Sequence, residues 1–362
     1  MKSILIFEEF HSGHHLIYLK YISEYFYKQG YKVIILCNNQ DNIVSNIVNE
    51  NIIIENISFN NYNKISFWFK LNRKIIHLQN KYSIKFDVVF FNWLDTYISS
   101  KLHYIFIDLL FGFDFSGIAF QSKYFRNSNK KNSLISLKSK RLKNIFILDS
   151  GVIEPIKIYL QNERVYKFPD FADNSKPNLG CITYKDIERN KAYRKVILSI
   201  GSVAKRKGIL TLLEASKQLT NSHLFVIVGK LSKETFSEQE LAYINTFKNK
   251  KNILIYFKHI KDESDFNAII ESSDILYAGY EDWYHSSNML AKAALFKKPV
   301  LVNAGYYMEE MVKENNMGEV FSKSVESLVE SIKSIKGEYT FDDYLKKNNR
   351  ESLKILEKVF DE

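Results

Sequence analysis

The chain predicts an α/β protein built on two parallel sheets, each covered by helices on both faces. Three observations carry that reading. Short apolar runs alternate with amphipathic helical patterns along the 362 residues. The alternation stops once, at the polar stretch Asp170–Asn190 with its Pro177 and Gly180, and then resumes. Apolar residues make up 46% of the chain, enough to give each half a core of its own.

Before the break, Ser3–Phe7, Lys32–Cys37, Ile52–Ile57, Asp87–Phe91, Gly117–Phe120, Ile145–Leu148 and Arg164–Phe168 read as strands. Leu16–Gln29, Asp41–Asn49, Ile65–Lys81 and Ser133–Lys143 read as helices. In the first helix Leu19, Ile22 and Phe26 make the apolar stripe, and Gly30 stops it. After the break, Val196–Ile200, Leu224–Val228, Ile253–Tyr256, Ile275–Tyr277 and Pro299–Asn303 read as strands. Leu210–Leu219, Glu238–Phe247, Asp262–Ser272, Ser287–Lys297, Met308–Asn315, Ser327–Ile335 and Asp342–Val359 read as helices. The expected domains are 1–172 and 191–341, joined by a linker over 173–190, with 342–362 packing back on the first. Two such Rossmann-like halves place the carboxyl ends of their strands on a central cleft.

Composition narrows the function classes. Basic residues number 51 against 41 acidic, net +10, in a Lys-, Asn- and Ile-rich chain where part of the excess reads as compositional drift. Cys37 and Cys181 lie far apart with no metal-ligand or CxxC spacing, so reduced cytosolic thiols are expected. The start runs straight into a strand without a signal-peptide pattern. The most apolar long stretch, Tyr104–Phe120, carries Asp108 and Asp114 and does not read as a membrane span. The expected location is cytoplasmic, peripheral to a membrane at most.

The densest chemical signal is Val196–Ala215, VILSIGSVAKRKGILTLLEA. A buried strand breaks at Gly201, passes Lys205, Arg206 and Lys207, and Gly208 opens a helix. Three cations on a tight turn at a strand's carboxyl end, beside a helix start, can hold phosphate. The bland reading of the three charges is a solvated turn. A second segment, Ser272–Gly318, runs strand, loop, helix, then Lys298-Pro299-Val300 into another strand.

The strand, glycine, Lys-Gly and helix order resembles the donor-diphosphate loop of retaining nucleotide-sugar glycosyltransferases with the two-domain GT-B architecture, the group 1 or family 4 class. The second segment resembles the same class by layout. The resemblance implies an enzyme that needs no metal or cofactor, with a nucleoside diphosphate sugar as donor substrate. It implies that Lys207, aided by Arg206 or Lys205, neutralises charge on the leaving diphosphate. By position, Gly201, Gly208, Gly229, the Lys258-His259-Ile260 backbone around His259, and Ser286-Ser287-Asn288 at a helix start would border the donor. Ser286 or Ser287 would equally serve as a plain N-cap. The class usually carries two glutamates eight residues apart, the first near the sugar and the second on the ribose. Tyr284 and Lys292 occupy those positions here. Glu281 or Asp282 is the nearest substitute for the first, and a charged Lys292 cannot accept a bond from a hydroxyl.

The loop Glu8–His15 resembles the class's glycine-containing first loop, which borders phosphate and acceptor. Gly13 permits close approach. His14 or His15 would contact phosphate or an acceptor hydroxyl, or one caps the helix while the other is exposed. Three histidines in five residues also raise a zinc site, but no distant fourth ligand accompanies them. Asp95 would meet an acceptor hydroxyl or cap the next helix. Gln121 stands roughly where many members carry a histidine.

Between Asp114 and Asp149 the chain has eight bases and no acid: Lys123, Arg126, Lys130, Lys131, Lys138, Lys140, Arg141 and Lys143. That run, over 122–143, suits an anionic membrane surface and a lipid-linked glycan acceptor. The stripe Trp68, Leu71, Ile75, Leu78, Tyr82 reads as core rather than as a membrane face. No nucleic-acid motif accompanies the charge, so no nucleic-acid partner is expected. The reading that follows is a glycosyltransferase extending a surface polysaccharide such as capsule or O-antigen. The alternatives are a degenerate, non-catalytic glycan-binding or partner protein and a nucleotide-sugar epimerase on the same fold, for which no acid/base set can be placed.

Overall fold

The computed structural model describes residues 1–9, 14–38, 43, 47, 49–58, 63–98, 104–120, 135–161, 163–335, 337–349 and 351–360, with His14, Lys64 and Glu351 by backbone alone. The chain divides into two compact units, Met1–Asp170 with Asn349–Glu362, and Phe171–Asn348.

The first unit is built on seven strands: β1 Ser3–Glu8, β2 Lys32–Cys37, β3 Ile53–Asn56, β4 Val88–Phe91, β5 Phe115–Ala119, β6 Leu142–Ile147 and β7 Val165–Lys167. They lie in the order β3-β2-β1-β4-β5-β6-β7, and every pairing is parallel. Central strands are buried on both faces, which is why they read as unbroken apolar runs. Helix Lys64–Tyr82 closes one face by burying Trp68, Leu71, Ile75 and Leu78 completely. Each such side chain contributes about 1.5–3 kcal/mol on burial. Trp68 meets Phe91, Phe111 and Phe115 with ring centres 5.0–5.6 Å apart.

The second unit repeats the plan with β8 Lys195–Ile200, β9 His223–Val228, β10 Ile253–Tyr256, β11 Ile275–Ala278, β12 Val300–Asn303 and β13 Gly318–Phe321. The order is β10-β9-β8-β11-β12-β13, again all parallel. Each sheet therefore reverses its winding once, between β1 and β4 and between β8 and β11. In open α/β sheets the crevice outside the carboxyl ends at that reversal is where ligands bind.

Four expectations are corrected. The segment 173–190 is not a free linker: it belongs to the second unit and ends in helix Ile182–Lys191, with Ile187 and Cys181 buried in that unit's core. The helix expected over Ser133–Lys143 gives way to a 3-10 turn over 135–138 and to β6 from Leu142. The single helix expected over Asp342–Val359 is two pieces. Asp342–Lys347 lies in the second unit and the 3-10 helix Glu351–Phe360 in the first. There Phe360 stacks on Tyr31 at 4.6 Å and the Lys358 carbonyl accepts from Asn144 Nδ2 at 2.9 Å. Finally, β13 and the helices Tyr104–Leu110 and Ile153–Leu160 stand where no element was expected.

Candidate functional site

At the reversal point of the second sheet the chain leaves β8 through Gly201 (φ +100°) and passes a 3-10 turn, Lys205–Lys207, before Gly208. Both glycines are forced. At Gly208 (φ +66°) a Cβ would lie 2.4 Å from the Gly279 carbonyl oxygen. At Gly201 it would lie 2.9 Å from Lys207 Nζ. These glycines let Lys207 fold back over the end of its own strand. Its ammonium donates to the Ile200 carbonyl at 3.1 Å while the residue is only 6% exposed.

Beyond β11 the chain supplies the other wall. The Lys207 ammonium stands 5.3 Å from the Tyr280 ring centre, and Arg206 lies over Trp283 at 4.1 Å and over Tyr280 at 5.6 Å. Ser287 caps helix Asn288–Leu295, accepting from the Met289 amide at 3.3 Å, and donates to the Tyr280 hydroxyl at 3.1 Å. Burial pushes the Tyr280 phenol up, but Lys207, the Ser287 bond and Arg206 outweigh it and hold it below its ordinary value. Two cations and a capped helix start thus meet around one buried phenol, an arrangement that attracts an anion.

The remaining residues expected near a donor distribute differently. Lys205 turns to Glu240, with Nζ 2.6 Å from its carboxylate. Glu281 joins the site through its backbone: its amide donates to the Arg206 carbonyl at 2.7 Å. Asp282 (φ +51°) is drawn to Tyr306 at 2.9 Å and Lys323 at 3.1 Å. Those partners, Tyr306 first, lower its carboxyl below the usual range. Gly229 packs where a Cβ would overlap the Gly201 carbonyl oxygen at 1.5 Å, and its amide is bonded to the Tyr256 carbonyl at 3.0 Å. His259 is exposed past β10. Trp283 Nε1 donates to the Ser286 carbonyl at 3.3 Å. Asn288 is buried and donates to the Phe171 carbonyl at 3.3 Å.

Lys292, which stands where the resembled class has its second glutamate, is 1% exposed. Its ammonium donates to Glu263 at 2.8 Å, the Asp173 carbonyl at 2.9 Å and Asn267 Oδ1. It joins three segments of the second unit.

The reversal point of the first sheet holds a different set. Glu8, at the end of β1, is buried; its carboxylate accepts from Asn92 and pairs with His15 Nδ1 at 3.1 Å. The His15 ring lies 4.2 Å from Trp93, which stacks on Phe120 at 4.4 Å. Asp95 is buried, opens helix Asp95–Ile98, and accepts from the Phe120 amide at 2.7 Å, so it ties the end of β5 to that helix. Gly13, the His14 side chain and Gln121 lie outside the described residues. So do Lys123, Arg126, Lys130 and Lys131. Arg141 and Lys143 pair with Asp114 at 3.5 and 3.2 Å.

Among the described residues no His, Cys, Asp or Glu group could hold a metal ion, and no helix is long and apolar enough to cross a membrane. Sequence reasoning missed Tyr280, Trp283 and Glu8. Tyr280 and Trp283 were given no role, and Glu8 read only as part of the loop after the first strand.

Residues 183–352 match the model of the family described as glycosyl transferases group 1. No curated protein matches the chain by sequence. Solved structures share the fold. HepE of Anabaena, in complex with UDP and glucose, aligns with a TM-score of 0.71 at 11% identity over 99% of each chain. A glycosyltransferase from Rickettsia africae aligns at 0.64 and 17% identity over 98% of each chain. WaaG, a glycosyltransferase involved in lipopolysaccharide biosynthesis, aligns at 0.59 and 14% identity over 99% of this chain and 94% of its own.

Proposed function

We propose that this chain, which carries a group 1 glycosyl transferase domain over residues 183–352, moves a sugar from a nucleoside diphosphate sugar to a growing surface polysaccharide. The observation that carries the reading is Lys207, folded over the end of β8 beside Arg206 and the Ser287-capped helix. A diphosphate seated there has its leaving charge met by fixed cations and amides, with little reorganisation. That suits a reaction in which the protein mainly positions and stabilises, the leaving diphosphate itself takes the acceptor proton, and anomeric configuration is retained. HepE binds UDP and glucose, and WaaG serves lipopolysaccharide biosynthesis, which supports a nucleotide-sugar donor and a glycan acceptor.

The acceptor side belongs to the first unit in this reading. Glu8 fixes the tautomer of His15, and Asp95 sets the end of β5, where hydroxyl groups would be met. A lipid-linked acceptor at the inner membrane face is supported by the base-rich stretch 122–143 and by Phe69, Ile105, Phe106 and Leu109, all exposed in the same unit.

One observation favours a second reading, a glycan-binding protein without turnover. Lys292 fills with a buried, bonded cation the place where the resembled class has an acid. A thermal-shift panel of UDP, GDP, CDP, ADP and dTDP with their sugar conjugates separates the two. The transferase reading expects one base to stabilise the chain; silence across the panel overturns it.

A further inference from the structure

We propose that Tyr280 is a positioning residue of the donor site: its ring faces the Lys207 ammonium and its hydroxyl bonds the Ser287 cap, so the loop after β8 and the helix start after β11 are held as one anion seat. The proposal rests on the transferase reading for the identity of the anion. Its geometry stands on contacts within the second unit alone.

Four contacts meet at this phenol. Ser287 Oγ donates to the hydroxyl at 3.1 Å, and Lys207 Nζ stands 5.3 Å from the ring centre. Arg206 lies 5.6 Å over the ring, and Trp283 packs edge-on at 6.0 Å. The backbone is fixed as well, because Asn303 Nδ2 donates to the Tyr280 carbonyl at 3.2 Å. The residue is 5% exposed, so these bonds compete little with water. Ser287 is the cap of its helix and Lys207 crosses the end of its strand. One phenol, with its hydroxyl on Ser287 and its ring against Lys207, sets their separation before any ligand arrives. A pre-set anion seat loses less on binding than one assembled around the ligand.

The same contacts make the seat sensitive to alkali. The charged groups facing the ring are Lys207 and Arg206; Glu281 follows it in the chain and acts on Tyr277. Both cations favour a phenolate, against burial, so the phenol loses its proton below its ordinary value of 10.0. A phenolate beside the seat repels the ligand's negative charge. Anion affinity therefore falls as pH rises through that point, and binding in that range takes up a proton.

The test is calorimetric titration of the whole chain with inorganic pyrophosphate from pH 7 to 10, in two buffers of different ionisation enthalpy, for the wild type and Tyr280→Phe. The Phe variant keeps the ring and its packing, so folding is checked by an unchanged far-UV spectrum. The expected result is about three- to tenfold weaker binding in Tyr280→Phe at neutral pH. The wild type alone should show extra proton uptake near the alkaline end. Equal affinities and equal proton uptake in the two proteins overturn the positioning role while leaving the transferase reading standing. No binding of pyrophosphate or of any nucleoside diphosphate by the wild type overturns both.

Discussion

Replacing Lys292 by Met keeps the length of the side chain and removes its charge and donors. Two acceptors then lose this partner, the Glu263 carboxylate and Asn267 Oδ1, while the Asp173 carbonyl keeps Asn267 Nδ2 at 3.4 Å. Asn267 is fully buried, so its orphaned oxygen costs about 1–3 kcal/mol. Glu263 is one-third exposed at its side chain and turns to water, which discounts the full 3–5 kcal/mol of a broken buried pair. Apolar contact of the Met with Phe266, over whose ring the ammonium sits at 5.4 Å, returns part of the loss. A net destabilisation of about 2 kcal/mol follows. That is roughly a 4–8 °C fall in Tm for a unit of this size. Differential scanning calorimetry reads it directly. Lys292→Glu, which restores the acid of the resembled class, should be worse, because it sets a second carboxylate against Glu263. A loss below about 1 kcal/mol in the Met variant, or a Glu variant as stable as wild type, would refute a structural role for this cation.

Two further outcomes follow from the same contacts. Gly229→Ala should abolish folding of the second unit, because its Cβ would overlap the Gly201 carbonyl oxygen at 1.5 Å; Gly30→Ala, with φ +80° but nothing within 4 Å, should cost only about 1–2 kcal/mol. Soluble expression and a melting curve of each separate the cases. Burial, with a contribution from Glu8, pushes the Cys37 thiol up to about 12. At pH 8 it is a protonated thiol, so a disulfide reagent should leave it unmodified in the folded chain and label it fully in denaturant. Labelling of Cys37 in the native chain at the denatured rate would contradict that burial.

Much of the fold is legible because parallel sheets bury both faces of their strands. Runs such as Val33–Cys37 and Leu224–Val228 carry no polar interruption, and no helix period fits them. What escaped is short or half-exposed. The edge strand β13 is mostly half-buried and carries Glu319. Ile182–Lys191 hid because a helix docked by little more than Ile187 and Cys181 reads as polar.

The site divides the same way. The glycines and Lys207 were legible because the backbone conformation and the charge are local properties. The fate of the charges was not. Lys205 is drawn off by Glu240, and Lys292 is buried by Glu263 and Asn267, acids and amides 25 or more residues away in sequence. Tyr280 was opaque for the opposite reason. Nothing local marks a tyrosine after a strand as the place where Ser287 bonds the hydroxyl and Lys207 faces the ring.

The central claim is that the crevice between β8 and β11 seats the diphosphate of a nucleotide sugar. Its most direct test is the nucleoside diphosphate panel read by thermal shift on the wild type and on Lys207→Ala. A ligand at roughly 100 times its dissociation constant adds about 2.7 kcal/mol of stability. The account predicts a clear rise in Tm with one base in the wild type and its loss in Lys207→Ala. A rise that survives the substitution unchanged, or none with any base, would contradict it.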